Sequence, residues 1–64
     1  MVKIKLTKNC TGEVWSSLTF LHYIDLVKGD IFSTPSYEQV EGDIYINDDE
    51  NGELYIPGNC VEVL

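Results

Sequence analysis

Turn-forming residues divide this chain into short runs rich in β-branched and aromatic residues. Asn9-Cys10-Thr11-Gly12, Lys28-Gly29-Asp30, Thr34-Pro35-Ser36-Tyr37, Asp48-Asp49-Glu50-Asn51-Gly52 and Pro57-Gly58-Asn59 are the breaks. Glycine supplies turn conformations that other residues resist, and proline cannot donate to a strand ladder. Between the breaks, Val2, Ile4 and Leu6 alternate with Lys3, Lys5 and Thr7. That period of two predicts a strand with one face inward. Tyr23 to Val27, Ile31-Phe32-Ser33, Asp43 to Asn47, Glu53 to Ile56 and Val61-Glu62-Val63 read as further strands, with Asn51-Gly52 the strongest local hairpin signal.

One segment is ambiguous. In Gly12 to Asp30, Val14, Leu18 and Leu21 fall at helical spacing, but Thr, Phe, Tyr, Ile and Val dominate after Leu18 and favour extended chain. The reading is a loop over residues 9–17 followed by strand. The expectation is an all-β fold of about five short antiparallel strands, a small partly open barrel with a short 3₁₀ turn near Pro57. A barrel lets a short chain bury its apolar faces while leaving few open edges.

The 64 residues give room for one domain, spanning residues 1–64. A hydrophobic content of 44% suffices for a small core and argues against disorder despite a net charge of −7. No apolar run approaches the roughly 18 residues of a membrane span, and no secretory leader is recognisable. The expected compartment is therefore the cytoplasm. Cys10 and Cys60 are fewer than the four or more cysteines of a disulfide-stapled miniprotein and read most simply as two free thiols, a bridge needing closeness in space that sequence does not show. With the lone His22 they lack zinc spacing, so no metal or other cofactor is expected.

Charge is uneven. Residues 1–28 carry a net +2, and residues 29–64 a net −9 with no base. Direct nucleic-acid binding is not expected, because phosphate contacts need Lys and Arg. An acidic surface suits a protein partner with a basic face.

The stretch Leu54, Tyr55, Ile56, Pro57, Asn59, Val61 resembles the end of an SH3 domain, where a strand enters a Pro-containing 3₁₀ turn and a final strand closes the barrel. Ile24 to Asp30 is similar to an extended segment of the same family. Val2-Lys3, Lys8-Asn9, Ser17-Leu18-Thr19, Tyr23, Asp48-Asp49, Gly52-Glu53, Tyr55, Pro57 and Val61-Glu62-Val63 also resemble short SH3-like proteins of bacteriophages and prophages. That second resemblance places strand two at about residues 22–28. Together they imply an SH3-like barrel and a phage origin, hence the cytoplasm of a bacterial host. Gly42-Asp43-Ile44 stands where the family has a groove Trp, and Cys60 where it has a Tyr. The resemblance thus implies the fold, not recognition of proline-rich peptides.

Two chemical motifs fail on inspection. Asn47 to Gly52 partly mimics an EF-hand loop, but Asn stands at its first position and Gly58 at its twelfth. His22 and Asp25 sit on opposite faces of an alternating strand, so no enzyme is expected. The expected function is a small acidic non-catalytic protein that binds and modulates a host or phage protein. Its partner-binding candidates are the acids Asp48, Asp49, Glu50 and Glu53, the tyrosines Tyr37, Tyr45 and Tyr55, and Trp15. Alternatives are a DNA mimic that inhibits a nucleic-acid-binding enzyme, and an assembly module packing edge to edge as a homo-oligomer.

Overall fold

A computed structural model describes residues 1–48 and 50–64. The described residues form eight strands and one 3₁₀ turn. In chain order these are β1 (Val2–Leu6), β2 (Cys10–Ser16), β3 (Thr19–Leu26), β4 (Ile31–Thr34), β5 (Tyr37–Val40), β6 (Asp43–Asp48), β7 (Gly52–Pro57), the 3₁₀ turn (Gly58–Cys60) and β8 (Val61–Val63). The expected all-β class and the 3₁₀ turn after Pro57 are both present. The strands number eight rather than about five. The chain forms two antiparallel sheets, in the orders β4-β1-β8 and β3-β2-β7-β6-β5, and these do not close into one barrel.

Residues 9–17, read as a loop from the sequence, are mostly strand. β2 pairs with β3 from Cys10↔Leu26 to Ser16↔Thr19 and with β7 at Glu13↔Tyr55. Gly12 looked like a break but lies buried inside this strand. A Cβ there would stand 2.9 Å from Leu26 Cδ1 and 3.0 Å from the Tyr55 carbonyl oxygen. The glycine marks close packing of neighbouring strands, which is a common use of glycine within a sheet. Tyr37, read with Pro35 as part of a break, instead opens β5, and no strand was expected over the residues that follow it. Proline ends β4, and the chain then pairs again with β6 from Tyr37↔Ile46 to Val40↔Asp43. The second strand of the chain is thus β2, ahead of the position near residues 22–28 that the resemblance implied.

The core lies between the sheets. Ile4 and Leu6 come from β1, Val14 from β2, Leu26 from β3, Ile44 and Ile46 from β6, Leu54 and Ile56 from β7, and Cys60 from the 3₁₀ turn. Each set follows the period of two, so alternate residues of β2, β6 and β7 point the other way. Full burial of each such aliphatic side chain contributes about 1.5–3 kcal/mol. In a chain of this length nearly all of it offsets chain entropy.

The turns are fastened individually. Asp48 Oδ2 accepts from the Asn51 backbone N–H at 3.1 Å and from Asn51 Nδ2 at 2.8 Å, and Gly52 takes φ +80°. The Lys28 N–H donates to Asn9 Oδ1 at 2.8 Å, tying the β3–β4 turn to the β1–β2 turn. Gly58 N–H donates to the Gly42 carbonyl at 2.8 Å, and a Cβ on Gly58 would stand 2.5 Å from that same oxygen. Proline and glycine therefore meet at residues 57–58 for different reasons. Pro57 ends β7, and Gly58 lets two backbones touch.

Candidate binding surface

The outward residues of β2, β3, β6 and β7 form a continuous aromatic run. Trp15 pairs across the strands with Phe20, and Tyr45 with Tyr55. Ring centroids are 5.0 Å apart for Tyr23 and Phe20, 5.8 Å for Phe20 and Trp15, 5.8 Å for Trp15 and Tyr55, and 5.0 Å for Tyr55 and Tyr45. The first three pairs are edge-to-face, the arrangement that sets a positive ring edge against a negative ring face. Five rings thus cross four strands on the face opposite the core.

Carboxylates border the run. Glu13 Oε1 accepts from Trp15 Nε1 at 3.0 Å. Glu53 accepts twice, at Oε1 from the Tyr45 hydroxyl at 3.0 Å and at Oε2 from the Ser17 N–H at 2.9 Å. Glu38 stands opposite Tyr45 on β5. The Tyr45 phenol is pushed above its ordinary value of 10.0, first by burial and then by its bond to, and the charge of, Glu53. It therefore remains a neutral donor across the physiological range.

A groove of about 300 Å³ opens between Trp15, Tyr55 and Glu13 on one side and Val40, Glu41 and Asp43 on the other. No lysine lines it. Lys3 and Lys5 lie on β1, Lys8 in the turn after it, and Lys28 in the β3–β4 turn. The groove therefore combines two ring surfaces with three carboxylates, a lining that favours cationic groups. A second cleft, of about 140 Å³, is lined by Thr34, Pro35, Ser36, Tyr37, Glu38, Tyr45 and Asn47.

Of the residues singled out from the sequence, the structure brings together Trp15, Tyr45, Tyr55 and Glu53. Tyr37 stands opposite core residue Ile46 and joins Tyr45 only at the second cleft. Asp48 is half-buried and engaged by Asn51. Glu50 is exposed in the β6–β7 turn. Asp49 lies outside the described residues. Sequence reasoning missed Glu13, Phe20, Tyr23, Glu41 and Asp43. Glu13 and Trp15 alternate with buried Gly12 and Val14, and that signal was hidden once Gly12 was read as a break.

Other chemistry is sparse. His22 stands opposite Val14 and Asp25 opposite Thr11, on opposite faces of β3, as alternation requires. Among the described residues, no group of three His, Cys, Asp or Glu could hold a metal ion, and no helix is long and apolar enough to cross a membrane. Cys10 and Cys60 are both free, with Cys60 buried and Cys10 half-buried. No family model, curated protein or solved structure matches this chain.

Proposed function

We propose that this protein is a small non-catalytic binding module that engages a basic protein partner through the outer face of its five-stranded sheet. The observation that carries the reading is the aromatic run joined to a groove whose charged lining is wholly acidic. Arginine or lysine side chains of the partner would lie against Trp15 and Tyr55, with Glu13, Glu41 and Asp43 offsetting their charge. Cation–π contact contributes about 0.5–1 kcal/mol at exposed sites and more where water is excluded. The rings supply most of the affinity, and the acids raise the association rate and select the partner.

The resemblance to SH3-like phage proteins extends this reading. The partner would be a host or phage protein, met in the bacterial cytoplasm and modulated by occupancy of one of its basic surfaces. No catalytic step is assigned to the chain.

Trp15 is the single tryptophan, so its fluorescence reports on the groove directly. Titration with an arginine-rich peptide should give a saturable change that weakens with salt. The triple variant Glu13→Gln, Glu41→Gln, Asp43→Asn should lose that response while keeping the fold. An unchanged response in the triple variant would place the binding surface elsewhere.

A further inference from the structure

Cys10 and Cys60 stand fifty positions apart in the chain, yet the fold brings them to one corner of the core. Side chains alternate along β2, so Cys10 points inward with Gly12 and Val14, away from Glu13 and Trp15. Cys60 is buried in the 3₁₀ turn and belongs to the core cluster against which Cys10 packs. The backbone fastens the two elements together. The Thr7 N–H, three residues before Cys10, donates to the Cys60 carbonyl at 2.7 Å. The side chains meet as well. The Cys10 and Cys60 thiols are hydrogen-bonded to each other, and Cys60 Sγ donates to Asn59 Oδ1 at 3.5 Å.

The two thiols differ in access. Cys60 is 5% exposed, whereas Cys10 is half-buried and borders an open cleft of about 370 Å³ with Asn9, Thr11, Asp25 and Val27. A small reagent can therefore reach Cys10 but not Cys60. Burial, and then the hydrogen bond and charge of Cys60, push the Cys10 thiol up to about 11, against the lowering charge of Lys8. Such a thiol holds little thiolate at neutral pH and reacts slowly. Once it has reacted, its neighbour is already in place.

We propose that Cys10 and Cys60 form a dithiol site that closes to an intramolecular disulfide by exchange with a small organic disulfide such as oxidised glutathione, locking the start of β2 to the 3₁₀ turn. The Cys10 thiolate attacks one sulfur of the reagent, whose S–S bond breaks and releases one thiol. The Cys60 thiolate then attacks the Cys10 sulfur of the mixed disulfide and displaces the second thiol. The protein loses two electrons and two protons, and the reagent is reduced to two thiols. In a reducing compartment the site stays open. Closure joins residues near the two ends of the chain, and a cross-link over so long a loop strongly restricts the unfolded state. The outer-face reading is not involved, since both thiols lie on the core side of β2.

Equilibration of the wild-type protein with reduced and oxidised glutathione, followed by acid quench, alkylation and intact mass measurement, tests this. The chain has only two cysteines, so a monomer that has lost two hydrogens and takes up no alkylating label contains the Cys10–Cys60 bond. The same equilibration in concentrated denaturant separates a preformed pair from chance closure. The native fold should favour the closed form at least about thirtyfold over the unfolded chain. The closed protein should accordingly melt about 10 °C above the reduced one. Cys60→Ser should stop at a stable glutathione adduct on Cys10. Should that variant fail to fold, the wild-type comparison decides the matter alone. A native protein that stops at the mixed disulfide, that cross-links between chains, or that closes no more readily than the unfolded chain overturns the proposal.

Discussion

The Ser17 N–H donates to Glu53 Oε2 across 2.9 Å, joining residues 36 apart in the chain. The other oxygen of the same carboxylate takes the Tyr45 hydroxyl. One side chain on β7 thus holds the tip of the β2–β3 hairpin and one end of the aromatic run. Glu53→Ala should destabilise the fold by about 1–3 kcal/mol through loss of two bonds to a charged acceptor. The tip should loosen first, seen as faster hydrogen exchange at Ser17 in the variant. Unchanged exchange there would show that Glu53 does not hold the turn.

The strained turn offers an opposite test. Leu18→Gly relieves a left-handed leucine while removing an exposed side chain. Chemical denaturation should show stabilisation of up to about 1 kcal/mol, the strain relief being partly offset by the greater freedom of glycine in the unfolded chain. A destabilised variant would mean that Leu18 makes contacts within its own chain.

Gly58 should tolerate no side chain. A Cβ placed 2.5 Å from a backbone oxygen forces the 3₁₀ turn away from the Gly42 turn. Gly58→Ala should cost about 1–3 kcal/mol in denaturant unfolding. Gly29, with open space around its Cβ position but φ +95°, should lose less, since only backbone strain opposes the substitution. Equal losses at the two positions would contradict the packing described here.

Alkali should weaken the fold before the ordinary tyrosine range is passed. The Cys10 thiol is pushed up from 9.0 to about 11, first by burial and then by the hydrogen bond and charge of the neighbouring Cys60 thiol. Because its folded value is raised, the protonated thiol favours the native state. That contribution is fully present below pH 9.0 and is lost as pH rises through about 11. Tyr45, also raised, contributes in the same direction. Melting temperature should therefore fall between pH 9 and 11, with Cys10 alkylated far more slowly at pH 8 than in the unfolded chain. Flat stability across that window would show that the thiol is not buried as described.

Much of the fold was legible where one rule acted alone. Val2, Ile4 and Leu6 alternate cleanly, Asn51-Gly52 turns a hairpin, and Pro57 ends a strand. The errors fell where two principles competed. Gly12 signals a break locally, yet tertiary packing uses it for close contact between strands. Ser17-Leu18 carries no turn signature, since neither residue favours positive φ, so the β2–β3 hairpin was invisible. Pro35 ended a strand correctly but concealed that pairing resumes at Tyr37. The binding surface was half legible for the same reason. Tyr45, Tyr55 and Glu53 sit on strands that were read correctly. Trp15 was placed in a loop, and Glu13 went unnoticed beside it.

The most direct test of the central claim is capture from bacterial lysate with the wild-type protein and the Glu13→Gln, Glu41→Gln, Asp43→Asn variant as parallel baits, with and without excess duplex DNA. A basic protein should be held by the wild type, retained in the presence of DNA and lost by the variant. Equal capture by both baits would contradict the acidic groove as the binding surface, and displacement by DNA would instead identify a mimic of nucleic acid.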